Sequence, residues 1–236
     1  MDKRLIVALD YDKLDDVERL VELLGDAVGY YKVGMQLFYN VGTAAVDYLR
    51  RQGKDVFLDL KLHDIPNTVA QSAAALTGLG VSMFNVHAVG GLSMMQAAAK
   101  AVSETAAQLN VTRPKLIAVT VLTSISGAEW AALGYQRSIR DQVIHLAQLA
   151  RQAGLDGVVA SPQEAEQIRK VCGKEFIIVT PGVRPQGAAL NDQSRVATPA
   201  AALAAGAHYL VVGRPITAAD DPRTAAMAIL QEMGAK

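Results

Sequence analysis

Residues 56–68 read VFLDLKLHDIPNT and place charged side chains within an otherwise strongly apolar strand. Successive side chains of a β-strand point to opposite faces, so residues two positions apart share a face. One face of this segment carries Leu58, Leu60 and Leu62. The other face carries Phe57, Asp59, Lys61 and His63. We predict that the leucines pack against covering helices and that the charged face points into the interior of a closed sheet.

Short strand-like runs recur from one end of the chain to the other, and Ala-rich helical segments separate them. The predicted strands are Leu5–Leu9, Tyr31–Gly34, Val56–Leu60, Met83–Val86, Leu116–Val121, Gly157–Ala160, Phe176–Val179 and Tyr209–Val212. Helical patterns fill the gaps, for example Leu14–Leu24, Ser93–Gln108, Ser138–Gln152 and Pro222–Glu232. Strict alternation of strand and helix is typical of a parallel sheet, and eight units favour closure. We therefore predict one domain over residues 1–236, a single (β/α)8 TIM barrel with eight parallel strands.

The composition excludes several classes of protein. The formal net charge is zero, so neither a nucleic-acid partner nor an anionic membrane surface is expected. Cys172 is the single cysteine, which rules out an internal disulfide and a multi-cysteine metal cluster. No apolar run approaches the roughly 20 residues of a membrane span, and the run Leu5–Leu9 is too short for a signal peptide. We expect a soluble cytoplasmic protein.

The charges of the VFLDLKLHDIPNT segment predict a catalytic cluster at the mouth of the barrel. Asp59 and Lys61 lie about 6–7 Å apart along the strand, and Asp64 adds a second carboxylate. Burying an ion costs several kcal/mol unless it is paired, so a structural ion pair is the plainer alternative. Asp10 at the end of the first strand and Lys32 in the second add charges on neighbouring strands. Acids that surround a lysine keep its amine protonated and ready to donate.

A second predicted site, for an anion, lies at the ends of the seventh and eighth strands, where barrels often bind phosphate. Gly213 allows close approach of the backbone, and Arg214 supplies a planar fork suited to phosphate. Arg184 and Gln193 lie in the long polar segment after the seventh strand, which we expect to act as a lid. Thr123 ends the fifth strand and could hydrogen-bond a substrate amide. An ordinary surface position of the arginines is the alternative.

Five segments, in chain order, carry a family resemblance. They are ALD in the first strand, YKVG in the second, LDLKLHDIPNT in the third, TPGVRP after the seventh and VVGRPIT at the eighth. The chain resembles orotidine 5′-monophosphate decarboxylases of the bacterial type. The resemblance implies a homodimer with shared active sites that converts orotidine 5′-monophosphate to UMP and carbon dioxide, the last step of pyrimidine nucleotide synthesis. It also implies that neither a metal nor an organic cofactor takes part.

The resemblance further assigns catalytic roles to individual residues. Lys61 would protonate the ring carbon that loses its carboxylate, and Asp59 would lie against the departing carboxylate. Lys32 would contact the ribose and hold the charged groups together. Asp10 would bind the ribose as well.

The same resemblance assigns the remaining contacts. Asp64 and Thr68 would reach into the partner subunit's site, and Thr123 would contact the pyrimidine. The phosphate would be bound by Arg184, Gln193, Gly213 and Arg214.

Three other functions stay open. A metal-dependent sugar-phosphate decarboxylase or aldolase shares the Asp-x-Lys-x-x-Asp pattern, although Lys32 would repel a metal ion. A Schiff-base aldolase would need an unprotonated Lys61, which neighbouring acids oppose. A non-catalytic nucleotide-binding barrel would keep the phosphate residues without needing costly buried charges.

Overall fold

The computed structural model describes residues 2–185 and 197–234 and shows a closed barrel of eight parallel strands. The strands are β1 (Leu5–Leu9), β2 (Tyr30–Gly34), β3 (Asp55–Leu62), β4 (Met83–His87), β5 (Lys115–Val119), β6 (Gly157–Val159), β7 (Ile177–Thr180) and β8 (Tyr209–Val212). Each strand is hydrogen-bonded to the next along the chain, and β8 closes the barrel on β1 with Leu210 opposite Leu5. The predicted (β/α)8 TIM barrel is confirmed.

Helices alternate with the strands. They are α1 (Leu14–Leu24), α2 (Met35–Val41), α3 (Ala44–Arg51), α4 (Pro66–Gly78), α5 (Leu92–Leu109), α6 (Gly127–Ala132), α7 (Ile139–Gln152), α8 (Pro162–Cys172), α9 (Pro199–Ala204), α10 (Arg214–Thr217) and α11 (Pro222–Glu232). Four of them start with a proline, whose ring presets the helical φ and lacks an N–H that the first turn would leave unpaired. Within the described ranges, none of the helices has both the length and the apolar character needed to traverse a lipid bilayer.

Strand ends differ from the prediction by one or two residues, and the ends of β3 and β5 differ most. β3 runs beyond the predicted end at Leu60, because Leu62 pairs with Val86 of β4 after a shift in register. β5 ends at Val119, before the predicted Val121, although the N–H and the hydroxyl of Thr120 still donate to the carbonyl of Val159 on β6, at 3.3 and 2.9 Å. The chain leaves the sheet at that point.

Two hydrophobic clusters separate the inside of the barrel from the layer beneath the helices. The inner cluster consists of Ile6, Ala8, Tyr30, Phe57, Met83, Ile117, Ile177, Val179 and Val211. The outer cluster contains Leu58, and both Leu60 and Leu62 pack against it. The two predicted faces of β3 are therefore confirmed at Phe57 and at the three leucines.

Gly157 allows β6 to lie close against β7. It stands opposite Ile177 in the strand register. A Cβ atom on Gly157 would lie 2.2 Å from the carbonyl oxygen of Ile177, which is backbone and cannot swing aside. This position therefore accommodates only glycine.

We expect Gly157→Ala to lower the free energy of unfolding by about 1–3 kcal/mol, the usual effect of overpacking a core. For a chain of this size that corresponds to a fall in Tm of about 2–12 °C. Gly127→Ala is the matched control, because nothing lies within 4 Å of a Cβ at that position. Thermal unfolding of the three proteins measures the effect. A Tm of Gly157→Ala equal to that of the unsubstituted protein would contradict this account.

Candidate active site

The candidate active site lies one layer above the apolar interior of the barrel. Residues two positions apart on a strand share a face. Two positions beyond Ala8, Tyr30, Phe57 and Met83 of the inner cluster lie Asp10, Lys32, Asp59 and Asn85. These polar residues lie on four adjacent strands, toward the carboxyl ends, where barrel enzymes have their active sites.

Asp10, Lys32, Asp59 and Lys61 form an alternating chain of acids and amines, here called the charge chain. Lys61 Nζ lies 2.9 Å from Asp59 Oδ1. Lys32 Nζ lies 3.5 Å from Asp59 Oδ2 and 3.2 Å from Asp10 Oδ1. The side chains of Lys32 and Asp59 are mostly buried, whereas that of Asp10 is exposed. Each ion in the chain has a partner of opposite charge, which offsets the cost of burial. The structure thus brings together four of the residues selected from the sequence.

Gly34 leaves room for the ammonium group of Lys32. A Cβ atom on Gly34 would lie 2.8 Å from Lys32 Nζ and 3.7 Å from Asp10 Oδ1. A larger residue at the end of β2 would therefore push the amine away from both of its carboxylate partners.

The backbone of Lys61 departs from regular strand geometry. Its φ is 56°, in the left-handed region that costs an ordinary residue about 1–2 kcal/mol. The Lys61 N–H donates to Asn85 Oδ1 at 2.8 Å, and Asn85 Nδ2 donates to Asp59 Oδ1 at 2.7 Å. Asn85 was missed by the sequence analysis. Its one signal was an amide between the apolar residues of the fourth strand.

A cavity of about 250 Å³ lies beside the charge chain. Lys32, Asp59 and Lys61 line one part of it, and Thr123 and Ser124 line another. The rest of its wall is mainly apolar and includes Phe57, Val119, Val159, Val179 and Val211. Larger clefts of about 800 and 620 Å³ lie near the amino-terminal ends of the strands, away from these charges. The smaller cavity combines a mainly apolar wall with a few polar and charged groups, as is typical of sites for small ligands.

Two arginines lie on the β7 and β8 side of the barrel mouth. Arg184 follows β7 and is only 8% exposed, while Arg214 starts α10 directly after Gly213. Burial lowers the pKa of Arg184, and the positive charge of Arg214 lowers it further. A bound anion would relieve the repulsion between the two guanidinium groups. Gly213 lies next to Asp10, since a Cβ there would be 3.6 Å from Asp10 Oδ2. Gln193 lies outside the described residues.

Within a single copy of the protein, Asp64 and Thr68 are not part of the charge chain. Both are exposed after β3, and Asp64 Oδ1 accepts a hydrogen bond from the N–H of Ile65 at 2.6 Å. Over the described residues, Asp64 forms no ion pair with Lys61 or another basic side chain. The sequence led us to expect Asp64 as the second acid beside Lys61. Within a single copy of the protein, Asp64 is exposed just before α4 begins, and the other acid of the charge chain is Asp10, which pairs with Lys32.

His87 lies next to the charge chain, and its ring centroid is 5.4 Å from that of His63. Burial lowers the pKa of His87. The nearby His63 and Lys61 lower it further, and Asp59 opposes them. The lowered pKa favours the neutral form of His87 beside Lys61.

The comparison with protein families matches residues 3–229 to the family described as orotidine 5′-phosphate decarboxylase / HUMPS. The chain belongs to this decarboxylase family. The resemblance seen in the sequence is thereby confirmed.

Individual members of the decarboxylase family are similar to this chain over nearly its whole length. A protein of Moorella thermoacetica named orotidine 5′-phosphate decarboxylase is 56% identical over 231 residues, covering 98% of this chain and 92% of the relative. One of Syntrophotalea carbinolica with the same name is 52% identical, covering 99% of this chain and 96% of the relative. The crystal structure of orotidine 5′-phosphate decarboxylase from Lactobacillus acidophilus has a TM-score of 0.86 at 41% identity. It covers 98% of this chain and 99% of that one.

We expect acid to lower the free energy of unfolding of this decarboxylase family member, partly through His87. Because its folded pKa lies below the unfolded value of about 6.5, the unfolded chain binds the extra proton first as the pH falls. Above the unfolded pKa of His87, this histidine does not make the free energy of unfolding depend on pH. As the pH falls from the unfolded pKa toward the folded pKa, protonation of the unfolded chain lowers the free energy of unfolding. His87→Gln should therefore show a smaller loss of unfolding free energy between about pH 7.5 and about pH 5.5 than the unsubstituted protein.

Urea unfolding at the two pH values measures this difference. His145→Gln, on α7, is the matched control for loss of a histidine, because His145 is not among the groups that shift the pKa of His87. An equal loss of unfolding free energy in His87→Gln and in the unsubstituted protein would rule out His87 as a source of the acid sensitivity.

Proposed function

We propose that the chain decarboxylates orotidine 5′-monophosphate to UMP and carbon dioxide, the last step of UMP synthesis, without a metal or an organic cofactor. The observation that carries this proposal is the Lys61 ammonium group, which lies 2.9 Å from Asp59 beside a largely apolar cavity. The name borne by relatives that are 47–56% identical over nearly the full length supports the same reaction.

The proposed reaction needs a positive charge and a proton at one place. Decarboxylation breaks the bond between the ring carbon and the carboxylate carbon, and the electron pair stays on the ring carbon. The ammonium group of Lys61 supplies positive charge that is already in position when the carbanion forms. One Nζ proton then moves to the ring carbon, and the amine regains a proton from water. Atoms and electrons balance without an external oxidant or reductant.

We assign Asp59 to the region of the departing carboxylate, and Lys32 and Asp10 to the ribose. Asp59 lies within 3.5 Å of both amines, so it orients Lys61 before a substrate arrives. Preorganisation of this kind removes the need to rearrange charges during the reaction. The exposed carboxylate of Asp10 lies at the outer end of the charge chain, where it can accept hydrogen bonds from sugar hydroxyls.

We assign the other substrate groups to the remaining side of the mouth. Thr123 lines the cavity and would hydrogen-bond the pyrimidine. The phosphate would be bound by Arg184, Gln193, Gly213 and Arg214. The positive charge of Arg214 lowers the pKa of Arg184, and an anion bound by both guanidinium groups would offset their repulsion, which supports this assignment. Binding energy from the phosphate, far from the reacting carbon, would then help to stabilise the transition state.

We propose a homodimer in which Asp64 and Thr68 complete the site of the partner subunit. Large apolar residues are exposed after the carboxyl ends of β2, β3 and β4, namely Met35, Tyr39, Ile65 and Val89. Tyr39 and Ile65 are 74% and 65% exposed, and apolar side chains grouped at one end of a protein are typical of a protein–protein contact. A second copy bound to this surface would cover them and bring each Asp64 toward the other subunit's charge chain.

The position of Lys32 disfavours the metal-dependent alternative. Its ammonium group lies between Asp10 and Asp59, where a divalent ion would need both carboxylates. Across residues 2–185 and 197–234, no group of three or more His, Cys, Asp or Glu side chains is arranged to bind a metal ion. We also propose that residues 1–236 act as one domain, since α11 packs back on α1. The cytoplasmic location stays a prediction.

The loss of orotidine 5′-monophosphate, followed by ultraviolet absorbance in excess EDTA, tests the reaction directly. We expect conversion to UMP at a rate that EDTA does not change. No conversion, together with magnesium-dependent activity on a sugar phosphate, would instead assign the chain to the metal-dependent enzymes.

In the same assay, Lys61→Ala should lower kcat by at least about 1,000-fold, because the proton donor and the fixed positive charge are both removed. Binding of UMP, measured by calorimetry, should persist, since the assigned phosphate contacts are intact. Lys170→Ala is the matched control, because Lys170 is exposed on α8 and pairs only with Glu166 among the described residues. A kcat for Lys61→Ala close to that of the control would exclude Lys61 as the proton donor.

Mixing Lys61→Ala and Asp64→Ala proteins tests the shared site. Each homodimer should be inactive, because every site lacks one of the two groups. A heterodimer has one site that lacks both groups and one that is intact, so random exchange should restore about a quarter of the unsubstituted activity. Absence of recovery after subunit exchange, verified by native mass spectrometry, would show that Asp64 does not act across an interface.

A further inference from the structure

Asn85 is a fully buried amide of β4, and both ends of its side chain contact the β3 part of the charge chain. It is 0% exposed. Its Oδ1 accepts from the backbone N–H of Lys61 at 2.8 Å, and its Nδ2 donates to Asp59 Oδ1 at 2.7 Å. A backbone N–H can only donate and an ionised carboxylate can only accept, so these two contacts determine the orientation of the amide.

The register of β3 against β4 explains why Lys61 needs this acceptor. The paired positions on either side of the irregularity are Leu58 with Phe84 and Leu62 with Val86. Four steps along β3 therefore correspond to two steps along β4, and the intervening residues of β3 bulge. Asn85 lies between the two paired residues of β4. Its side chain accepts the Lys61 N–H that a regular ladder would bond to a backbone carbonyl of the neighbouring strand.

The positive φ of Lys61 also needs support from outside the strand. Among the described residues, one other non-glycine residue has a positive φ, namely Asn110, and it is the C-cap of α5. The left-handed conformation is common at such a helix end. Inside a strand it persists only where surrounding contacts enforce it, and Asn85 provides such a contact at Lys61.

We propose that Asn85 is a positioning residue for the reacting lysine, and this rests on the proposed function of Lys61. One amide holds the backbone of Lys61 in its left-handed conformation and also orients Asp59. The Asp59 oxygen that it contacts is the same atom that pairs with Lys61 Nζ at 2.9 Å. Asn85 thereby contacts the backbone of Lys61 directly and is linked to the Lys61 ammonium group through Asp59. Because Asn85 has no exposed surface, it acts through Lys61 and Asp59 and does not touch the substrate.

Few other side chains satisfy both contacts. An apolar residue would leave the N–H of Lys61 and one lone pair of Asp59 without partners in a buried setting. An aspartate of the same size would keep an acceptor for Lys61, but its charge would face the carboxylate of Asp59. A glutamine would add a methylene to a packed interior.

The test compares Asn85→Ala and Asn85→Asp with the unsubstituted protein and with Thr77→Val. Thr77→Val is the matched control, because it removes another fully buried side-chain hydrogen bond, from Thr77 Oγ1 to the carbonyl of Ala73 at 2.8 Å, far from the charge chain. For each protein, kcat with orotidine 5′-monophosphate, the Kd of UMP and Tm are measured. UMP titration also gives the concentration of folded sites, so kcat is expressed per folded site.

We expect both Asn85 variants to lose about 10–100-fold in kcat, as for a reacting group displaced by about 1 Å. Their Kd for UMP should stay within about threefold, because no substrate contact is removed. Thr77→Val should keep its kcat even where its Tm falls by a similar amount. Asn85→Asp preserves the side-chain size and keeps the test available if Asn85→Ala does not fold.

Two results would overturn the proposal. One is a kcat per folded site within about threefold of the unsubstituted protein in either Asn85 variant. The other is a parallel loss of kcat and UMP binding, which would indicate general disruption of the site. Failure of the proposed function is distinguishable, because the unsubstituted protein would then not decarboxylate the substrate, or Lys61→Ala would retain activity.

Discussion

The carboxylate of Asp59 has three partners: it forms ion pairs with Lys61 and Lys32 and accepts a hydrogen bond from the amide of Asn85. An ion so far from bulk water is tolerated only with such partners, since an unpaired one would cost several kcal/mol. These partners lie on β2, β3 and β4, and Lys32 in turn contacts Asp10 after β1. A single carboxylate therefore connects residues at the ends of four adjacent strands, and it contacts both amines of the charge chain.

The two-residue period of the strands explains how a charged site coexists with a stable barrel. Phe57 fills the interior and Asp59, two residues later, reaches the mouth, while Leu58 between them packs under the helices. Apolar packing and chemistry are thus assigned to successive layers of the same strand. Substitutions in the upper layer can alter the charges without opening a cavity in the lower one.

Much of this arrangement could be predicted from the sequence, because it follows from local periodicity. Strand and helix alternate over short distances, and the shared face of Phe57 and Asp59 needs only the geometry of one strand. The role of Asn85 could not be predicted in this way. Its contacts join residues 24 and 26 positions apart and depend on the offset between two strands. Nothing in a lysine side chain signals a positive φ, and nothing in the spacing of the charges signals that Asp64 is exposed while Asp59 is mostly buried.

The offset between β3 and β4 also sets a condition for transferring this chemistry to other scaffolds. Grafting an Asp-x-Lys pair onto a regularly paired strand would copy the two side chains and leave the amine on an ordinary extended backbone. The graft would need the extra two residues on one strand and a buried amide on its neighbour before the ammonium group could take up the same position. In such an enzyme, the register between neighbouring strands would matter for catalysis as much as the residues that carry charge.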